Sequence, residues 1–295
     1  KLAAKEIEMT KEILIIGGTG NIGAPLVELL KNGETAYSVL VRNDENESKL
    51  ALQGIRTVRG ALGDWSGMKV ALENVDTVFL LSSPAPEMLD LHTRLIDLAV
   101  STGVRKIVRL SAEPARDGSG MALYEQHAEA DDHLIASGLS YVILRPHYFM
   151  QNIPQMHATF IKERQMFAQY LGDARIPMVD TGDIAKAACI CLESDEFNNR
   201  IHYITGPRAI SFHDVAAAFS KSMGKTIQYV NLSYDDQKAG LTAAGLPDWT
   251  IDTVMTLFQR WADAGEQPVS SDFEQIAKAK ATDINSFTDD VASMI

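Results

Sequence analysis

The chain has 295 residues, 46% of them apolar and 22% charged, with a formal net charge of −12. That length holds one large or two interleaved domains around a sizeable core, and the composition is that of an ordinary globular protein. The acidic balance argues against a nucleic-acid or anionic-membrane surface, which needs clustered Lys and Arg, and no apolar run approaches the roughly 20 residues of a membrane span.

Lys1–Glu8 precedes Met9 and is expected to be a vector remnant or ragged tail, with no signal peptide ahead of the first strand. The run Glu12-Ile13-Leu14-Ile15-Ile16 reads as a strand buried on both faces. Gly17-Gly18-Thr19-Gly20-Asn21-Ile22-Gly23 follows it, and Asn21 to Lys31 places Ile22, Leu26 and Leu29-Leu30 at helical spacing before Gly33. Strand, glycine turn and helix within about twenty residues form the context of a dinucleotide fingerprint. Gly17 serves a tight turn, Gly20 lets backbone approach a pyrophosphate, and Gly23 lets the helix pack close to the strand. The helix N-terminus offers N–H groups and partial positive charge to the phosphates. Gly17, Thr19, Gly20, Asn21, Ile22 and Gly23 are therefore the candidate cofactor residues of this turn. The G-x-x-G-x-x-G spacing is the variant used by the short-chain dehydrogenase group.

Further strands are expected at 36–41, 55–59, 76–81, 106–110 and 140–144, with helices clearest at 88–101 and 123–137. Strands alternating with helices imply parallel pairing and right-handed crossovers, hence an α/β, doubly wound parallel Rossmann sheet. Beyond Tyr148 the pattern changes to helical pieces at 153–164, 182–193 and 211–223, short strands at 175–178 and 200–204, and helical hairpins over 235–264. Ser270–Phe273 and Ser286–Asp289 resemble capped helix starts. The expected division is an NAD(P)-binding Rossmann domain at 9–150 and a smaller α+β capping region at 151–295, partly interleaved with the core and folded over the carboxyl edge of the sheet. Cys189 and Cys191, two apart on a predicted helix, face different directions and suit neither a disulfide nor a metal site, so reduced thiols and a cytoplasmic location are expected.

The second strand bears on the cofactor. Where an NAD site carries an acidic residue, nineteen positions after Gly23, this chain has Arg42, followed by Asn43. A guanidinium there can hold a 2′-phosphate, so NADPH is preferred over NADH; Asp44 is the competing residue that would favour NAD. Asp64, after the third strand, is a candidate acceptor for the adenine amino group. Ser82, Ser83 and Pro84, after the fourth, are candidates for the ribose and nicotinamide side. Turn chemistry is the alternative for each.

The set formed by Ile15–Gly23, Val41-Arg42-Asn43, Gly103-Val104-Arg105-Lys106-Ile107-Val108 and Ser137–Pro146 resembles the NmrA-like atypical short-chain dehydrogenases, above all their bacterial quinone reductase and triphenylmethane-dye reductase subgroup. The similarity extends through Phe149-Met150-Gln151-Asn152 and Val179–Ala185 and fades in the last eighty residues. It implies an NAD(P)H-binding core and a cap that forms an acceptor pocket. It does not fix one activity, since the family includes reductases of quinones, dyes and azo compounds as well as redox-sensing regulators.

Ordinary short-chain dehydrogenases place Tyr and Lys four apart, so that the lysine lowers the tyrosine pKa and the phenol donates a proton. Here Tyr124 is followed four later by Ala128, and the pair is missing. His127 stands eleven before Gly138, where by resemblance the isoflavone-reductase-type relatives carry an active-site lysine, and it shares a helical face with Leu123, Ala130 and Leu134. It is a candidate proton donor, or a core histidine bonded to Asp131 or a backbone carbonyl. Ser111 is a candidate for polarising the acceptor oxygen, or a cap. Tyr148 is placed to stack on nicotinamide or acceptor, with Phe149 beside it and Asn152 orienting it. Met150, Met156 and Met166 read as core or an adaptable wall.

The expected activity is hydride transfer from nicotinamide C4 to a planar, electron-poor quinone, conjugated carbonyl or dye under the C-terminal cap. A non-catalytic NAD(P)-binding redox sensor and a ketone reductase using His127 or Tyr124 stay open as alternatives. A nucleotide-sugar epimerase is disfavoured because those relatives keep Tyr-x-x-x-Lys. The expected partner is a small aromatic or conjugated acceptor, with no nucleic acid, no membrane and no metal, and a homodimer is left open.

Overall fold

The computed structural model describes residues 12–115 and 118–295; the N-terminal segment set aside above lies outside the described residues. β1 (Glu12–Ile16) leads through the glycine turn to α1 (Gly23–Leu30), followed by β2 (Ala36–Val41), α2 (Asp44–Ala51), β3 (Thr57–Arg59), α3 (Trp65–Ala71), β4 (Val75–Leu80), α4 (Met88–Thr102), β5 (Lys106–Leu110), α5 (Ala122–Ala136) and β6 (Ser140–Pro146). The chain continues through α6 (Asn152–Arg164), β7 (Met166–Gln169), α7 (Thr181–Glu193), β8 (Arg200–Ile204), α8 (Phe212–Met223), β9 (Gln228–Asn231), α9 (Tyr234–Ala243), α10 (Asp248–Ala264), α11 (Asp272–Ala277) and α12 (Ile284–Val291). No helix among the described residues is long and apolar enough to cross a membrane.

Seven strands form one sheet in the order β3-β2-β1-β4-β5-β6-β8, and β7 pairs with β9 in a second, two-stranded sheet. The pairings β1–β2, β1–β4, β2–β3 and β4–β5 are all parallel. This is the expected doubly wound α/β order. The chain winds outward in one direction from β1 through β2 to β3 and then returns to β4, so β1 and β4 flank the topological switch point.

By residue contacts the chain divides into two compact units. One runs to Leu110 and adds Ala130–Ile143 and Ala188–Ile201; the other comprises Ser111–Glu129, Leu144–Ala187 and His202–Ile295. The first unit's core joins Leu14 and Ile16 of β1, Val78 and Leu80 of β4, Ile107 of β5 and the inner face of α4. That face follows from spacing: Met88, His92, Leu95, Ile96 and Ala99 recur at three and four residues and are buried, and Gly103 ends the helix in the left-handed region at φ +82°. β5, although wholly buried, carries Lys106 and Arg109. Lys106 reaches the Ser194 carbonyl at 2.7 Å and Asp195 at 3.4 Å, which satisfies a charge that burial would otherwise make costly.

In the second unit α8 begins with a capping box, Ser211 and Asp214 bonding reciprocally to each other's backbone N–H. The Asp183 carboxylate of α7 accepts from the Thr282 N–H at 2.6 Å and its hydroxyl at 3.1 Å. A smaller cluster packs Leu241 of α9 against Ile251 and Met255 of α10.

Several expected boundaries change. The strand expected at 175–178 is reduced to isolated bridges at Arg175 and Ile176, and the pairing nearby falls to β7 and β9, four residues each, which sequence patterning did not single out. α2 and α3 were also missed; each is announced by a cap, Asn43 accepting from Asn46 N–H and Asp64 from Gly67 N–H. The last helix starts at Asp283, which caps Asn285, so Ser286 lies inside it rather than at its start. Ser271 does occupy the N-cap of α11, but its side chain makes no cap bond.

Candidate functional site

The turn after β1 is shaped by its glycines. Gly17 has φ +87°, and a Cβ there would lie 2.7 Å from the Leu81 carbonyl oxygen. At Gly23 a Cβ would lie 2.0 Å from the Gly17 carbonyl oxygen, so α1 can start this close to the turn only with glycine. Gly18, which the motif reading passed over, is equally constrained: its Cβ position is 2.6 Å from the Val39 side chain of β2. At Gly20 the nearest atom is 3.5 Å away, and Thr19, Gly20 and Asn21 are exposed. The turn is therefore packed from below and open above, the form in which backbone can approach a pyrophosphate. The Gly20 N–H bonds the Gly17 carbonyl at 3.1 Å, closing the turn.

The other candidates of the first unit lie at strand ends. Arg42 follows β2, is exposed, and makes no ion pair among the described residues. Asp44 is held by Arg59 at 2.6 Å, and Glu47 by the same guanidinium at 3.3 Å. Asn43 and Asp64 both cap helices, and the bonds from Gly67 N–H and the Ser66 hydroxyl hold the Asp64 carboxyl below its ordinary range. Ser83 and Pro84 are exposed after β4, and Ser82 is half-buried. The Ser82 hydroxyl lies 2.8 Å from Nε2 of His92, whose Nδ1 accepts from Nε of Arg109 at 3.2 Å; Arg109 in turn pairs with Asp131. This buried chain of polar side chains was not foreseen. A histidine on the apolar face of α4 was the one legible signal for it.

The second unit gathers the candidates for acceptor chemistry. Ser111 is buried, its N–H bonding the Leu144 carbonyl at 2.8 Å. Tyr124 and His127 are buried near the start of α5. Burial, and secondarily the Glu113 charge, raise the Tyr124 phenol above its ordinary value of 10. Tyr148 packs edge-on against Trp261 at 5.9 Å, Phe212 at 6.2 Å and Phe258 at 6.4 Å. Burial raises its phenol too, a hydrogen bond with the Asn152 side chain acting in the opposite sense. His147 stacks on Trp261 at 4.9 Å and is pushed down to about 3 by burial. Its Nδ1 accepts from the Tyr148 N–H at 2.8 Å. Phe149 bridges Val179, and the Met150 N–H bonds the Val179 carbonyl at 2.9 Å.

A parallel sheet with a glycine-shaped turn at its switch point defines the class of nucleotide-binding α/β proteins. Within that class residues 9–289 match the NmrA-like family, and the chain belongs to it. It is 30% identical over 246 residues to the NAD(P)H azoreductase of Xenophilus azovorans, covering 83% of this chain and 86% of that one. It is 31% identical over 247 residues to quinone oxidoreductase 2 of Escherichia coli, covering 81% and 84%. Among solved structures, the NADPH complex of the Escherichia coli NADPH-dependent quinone oxidoreductase superposes with a TM-score of 0.85 at 27% identity, covering 95% of this chain and 99% of that one. The Citrobacter triphenylmethane reductase complexed with NADP(H) shares the fold, with a TM-score of 0.83 at 19% identity over 95% and 99% of the two chains.

Proposed function

We propose that this chain, an NAD(P)H-dependent reductase of the NmrA-like family, passes hydride from NADPH to a planar, electron-poor acceptor of the quinone, conjugated carbonyl or dye class. The observation that carries the reading is the glycine turn: its lower side has no room for a Cβ at Gly17, Gly18 or Gly23, while its upper side at Gly20 is open. These residues fit a dinucleotide diphosphate, and the bound coenzyme supplies a hydride from nicotinamide C4. Arg42, which makes no ion pair among the described residues, is assigned to the 2′-phosphate, while Asp44, the residue that would favour NADH, is paired with Arg59. Ser82, Ser83, Pro84 and Asp64 are assigned to the rest of the dinucleotide.

The surroundings of Tyr124 support this acceptor class. Reducing a simple ketone develops charge on one oxygen and needs a positioned acid of suitable pKa. Tyr124 is a weak acid here, because its surroundings are apolar and its charged neighbour, Glu113, has the wrong sign. A quinone or conjugated dye spreads the charge over its own frame, and solvent can complete protonation. Tyr148 and Phe149 are assigned to contact with acceptor or nicotinamide, with Asn152 holding the Tyr148 hydroxyl; His127 and Ser111 are the remaining polar candidates.

The test is NADPH oxidation, followed by its absorbance, against a panel of quinones, azo and triphenylmethane dyes, and simple ketones. Turnover with quinones or dyes and little with ketones is expected. Faster turnover with ketones would overturn the acceptor class, and cofactor binding without turnover on any acceptor would favour the redox-sensor reading.

A further inference from the structure

Ser82, at the carboxyl end of β4, is held by a chain of three buried side chains. Asp131 and Arg109 are fully buried and His92 is 1% exposed. Arginine stays protonated and can only donate, so the 3.2 Å contact from Arg109 Nε makes His92 Nδ1 an acceptor. The neutral imidazole then carries its proton on Nε2 and donates it to Ser82 Oγ at 2.8 Å. Burial and the neighbouring guanidinium both oppose a second proton on His92. With its oxygen accepting from His92, the Ser82 hydroxyl has its own proton to give. The Ser83 carbonyl, its acceptor among the described residues, is 3.4 Å away, too long for a good O–H···O bond.

The place matters as much as the geometry. Leu80 of β4 pairs with Ile16 of β1, and the Leu81 carbonyl fills the Cβ position of Gly17, so Ser82 follows directly on the backbone that walls the glycine turn. We infer that His92, backed by Arg109 and Asp131, is a positioning residue that aims the Ser82 hydroxyl as a donor to an oxygen of the dinucleotide bound at this turn. The inference rests on the cofactor reading given above. Three polar side chains on α4, β5 and α5 would then serve one hydroxyl, and Asp131 and Arg109 would act on it through the histidine's tautomer.

The test is NADPH affinity, measured by calorimetry on the full chain, for Ser82→Ala, His92→Phe, the double variant and His92→Gln. Loss of one hydrogen bond should weaken NADPH about tenfold in Ser82→Ala, with His92→Phe nearly as weak and the double variant no weaker than Ser82→Ala alone. His92→Gln keeps an amide donor for Ser82 and an acceptor for Arg109, and should recover affinity to within about threefold of the parent. Additive effects in the double variant, or unchanged affinity in Ser82→Ala, would overturn the inference. If His92→Phe does not fold, the Gln variant decides: affinity as poor as Ser82→Ala in a folded protein also overturns it. A Gly20→Val variant separates the two readings. If it weakens NADPH while the Ser82 and His92 variants do not, only this inference fails; if it too leaves affinity unchanged, the cofactor reading fails.

Discussion

Around the glycine turn of the first unit, Thr19, Gly20, Asn21, Arg42, Ser83 and Pro84 are exposed while Ile22 and Gly23 are buried, and three of the polar candidates are anchored: Asn43 and Asp64 on backbone amides, Ser82 on His92. In the second unit, Tyr124, His147 and Tyr148 sit among apolar and aromatic neighbours, and burial moves all three away from neutral titration. One region is built to present fixed donors and acceptors; the other is built to exclude water. A polar, preformed site suits recognition of a charged coenzyme, and a dry aromatic one suits an acceptor that stabilises its own charge. On the function proposed above, the contrast would account for the loss of the tyrosine–lysine pair without a replacement acid.

The largest expected effect is on the binding side. Gly23→Val places a side chain where even a Cβ is 2.0 Å from the Gly17 carbonyl oxygen, so α1 must move or the turn must open. Overpacking of this kind costs about 1–3 kcal/mol, and a lowered Tm together with loss of measurable NADPH binding is expected in thermal melts and titrations. Arg42→Asp comes next. Replacing a charge-assisted contact with repulsion should weaken NADPH by at least about tenfold and leave NADH within about twofold. Equal effects on both coenzymes would remove the 2′-phosphate assignment.

The dry side is tested through pH. His147 has a folded value of about 3 against an ordinary 6.5, so above pH 6.5 it is neutral in both states. Below that, the unfolded chain takes up a proton that the folded one refuses, and stability falls as pH falls toward 3. At pH 5 the loss from this residue is about 2 kcal/mol, and His147→Leu should flatten the decline in unfolding free energy between pH 7 and 5 by that amount. The smallest change is expected in Tyr124→Phe. Because the phenol is a poor acid, quinone turnover should stay within about threefold of the parent, and a loss of a hundredfold or more would restore Tyr124 as the proton donor.

What the sequence disclosed follows from the range of the forces involved. β1, β2, β5 and β8 were read with their observed boundaries, since apolar β-branched runs and flanking turn residues are local signals. The glycine turn was legible for the same reason, except Gly18, whose constraint comes from Val39 on another strand. α2 and α3 were within reach: Asn43 before an acidic first turn and Asp64 before Ser66-Gly67 are cap signatures, although Asp64 reads from the sequence as a ligand or a turn residue. β7 and β9 lay beyond reach, because Met166–Gln169 and Gln228–Asn231 are short, mixed in polarity and stabilised by each other. The partnership of Arg109 with Asp131, 22 residues apart, is likewise a product of the tertiary fold.

The bond between Asp183 and Thr282 has a consequence for biosynthesis. Ninety-nine residues separate the two, and the carboxylate is synthesised long before the threonine that completes its shell. Burial already raises the pKa of this carboxyl, and the Thr282 bonds oppose that rise. A nascent chain emerging N-terminal first can form α7 early, but its Asp183 carboxylate gains the two Thr282 donors only after residue 282 has been made. Maturation of the second unit is thereby tied to translation of nearly its whole length.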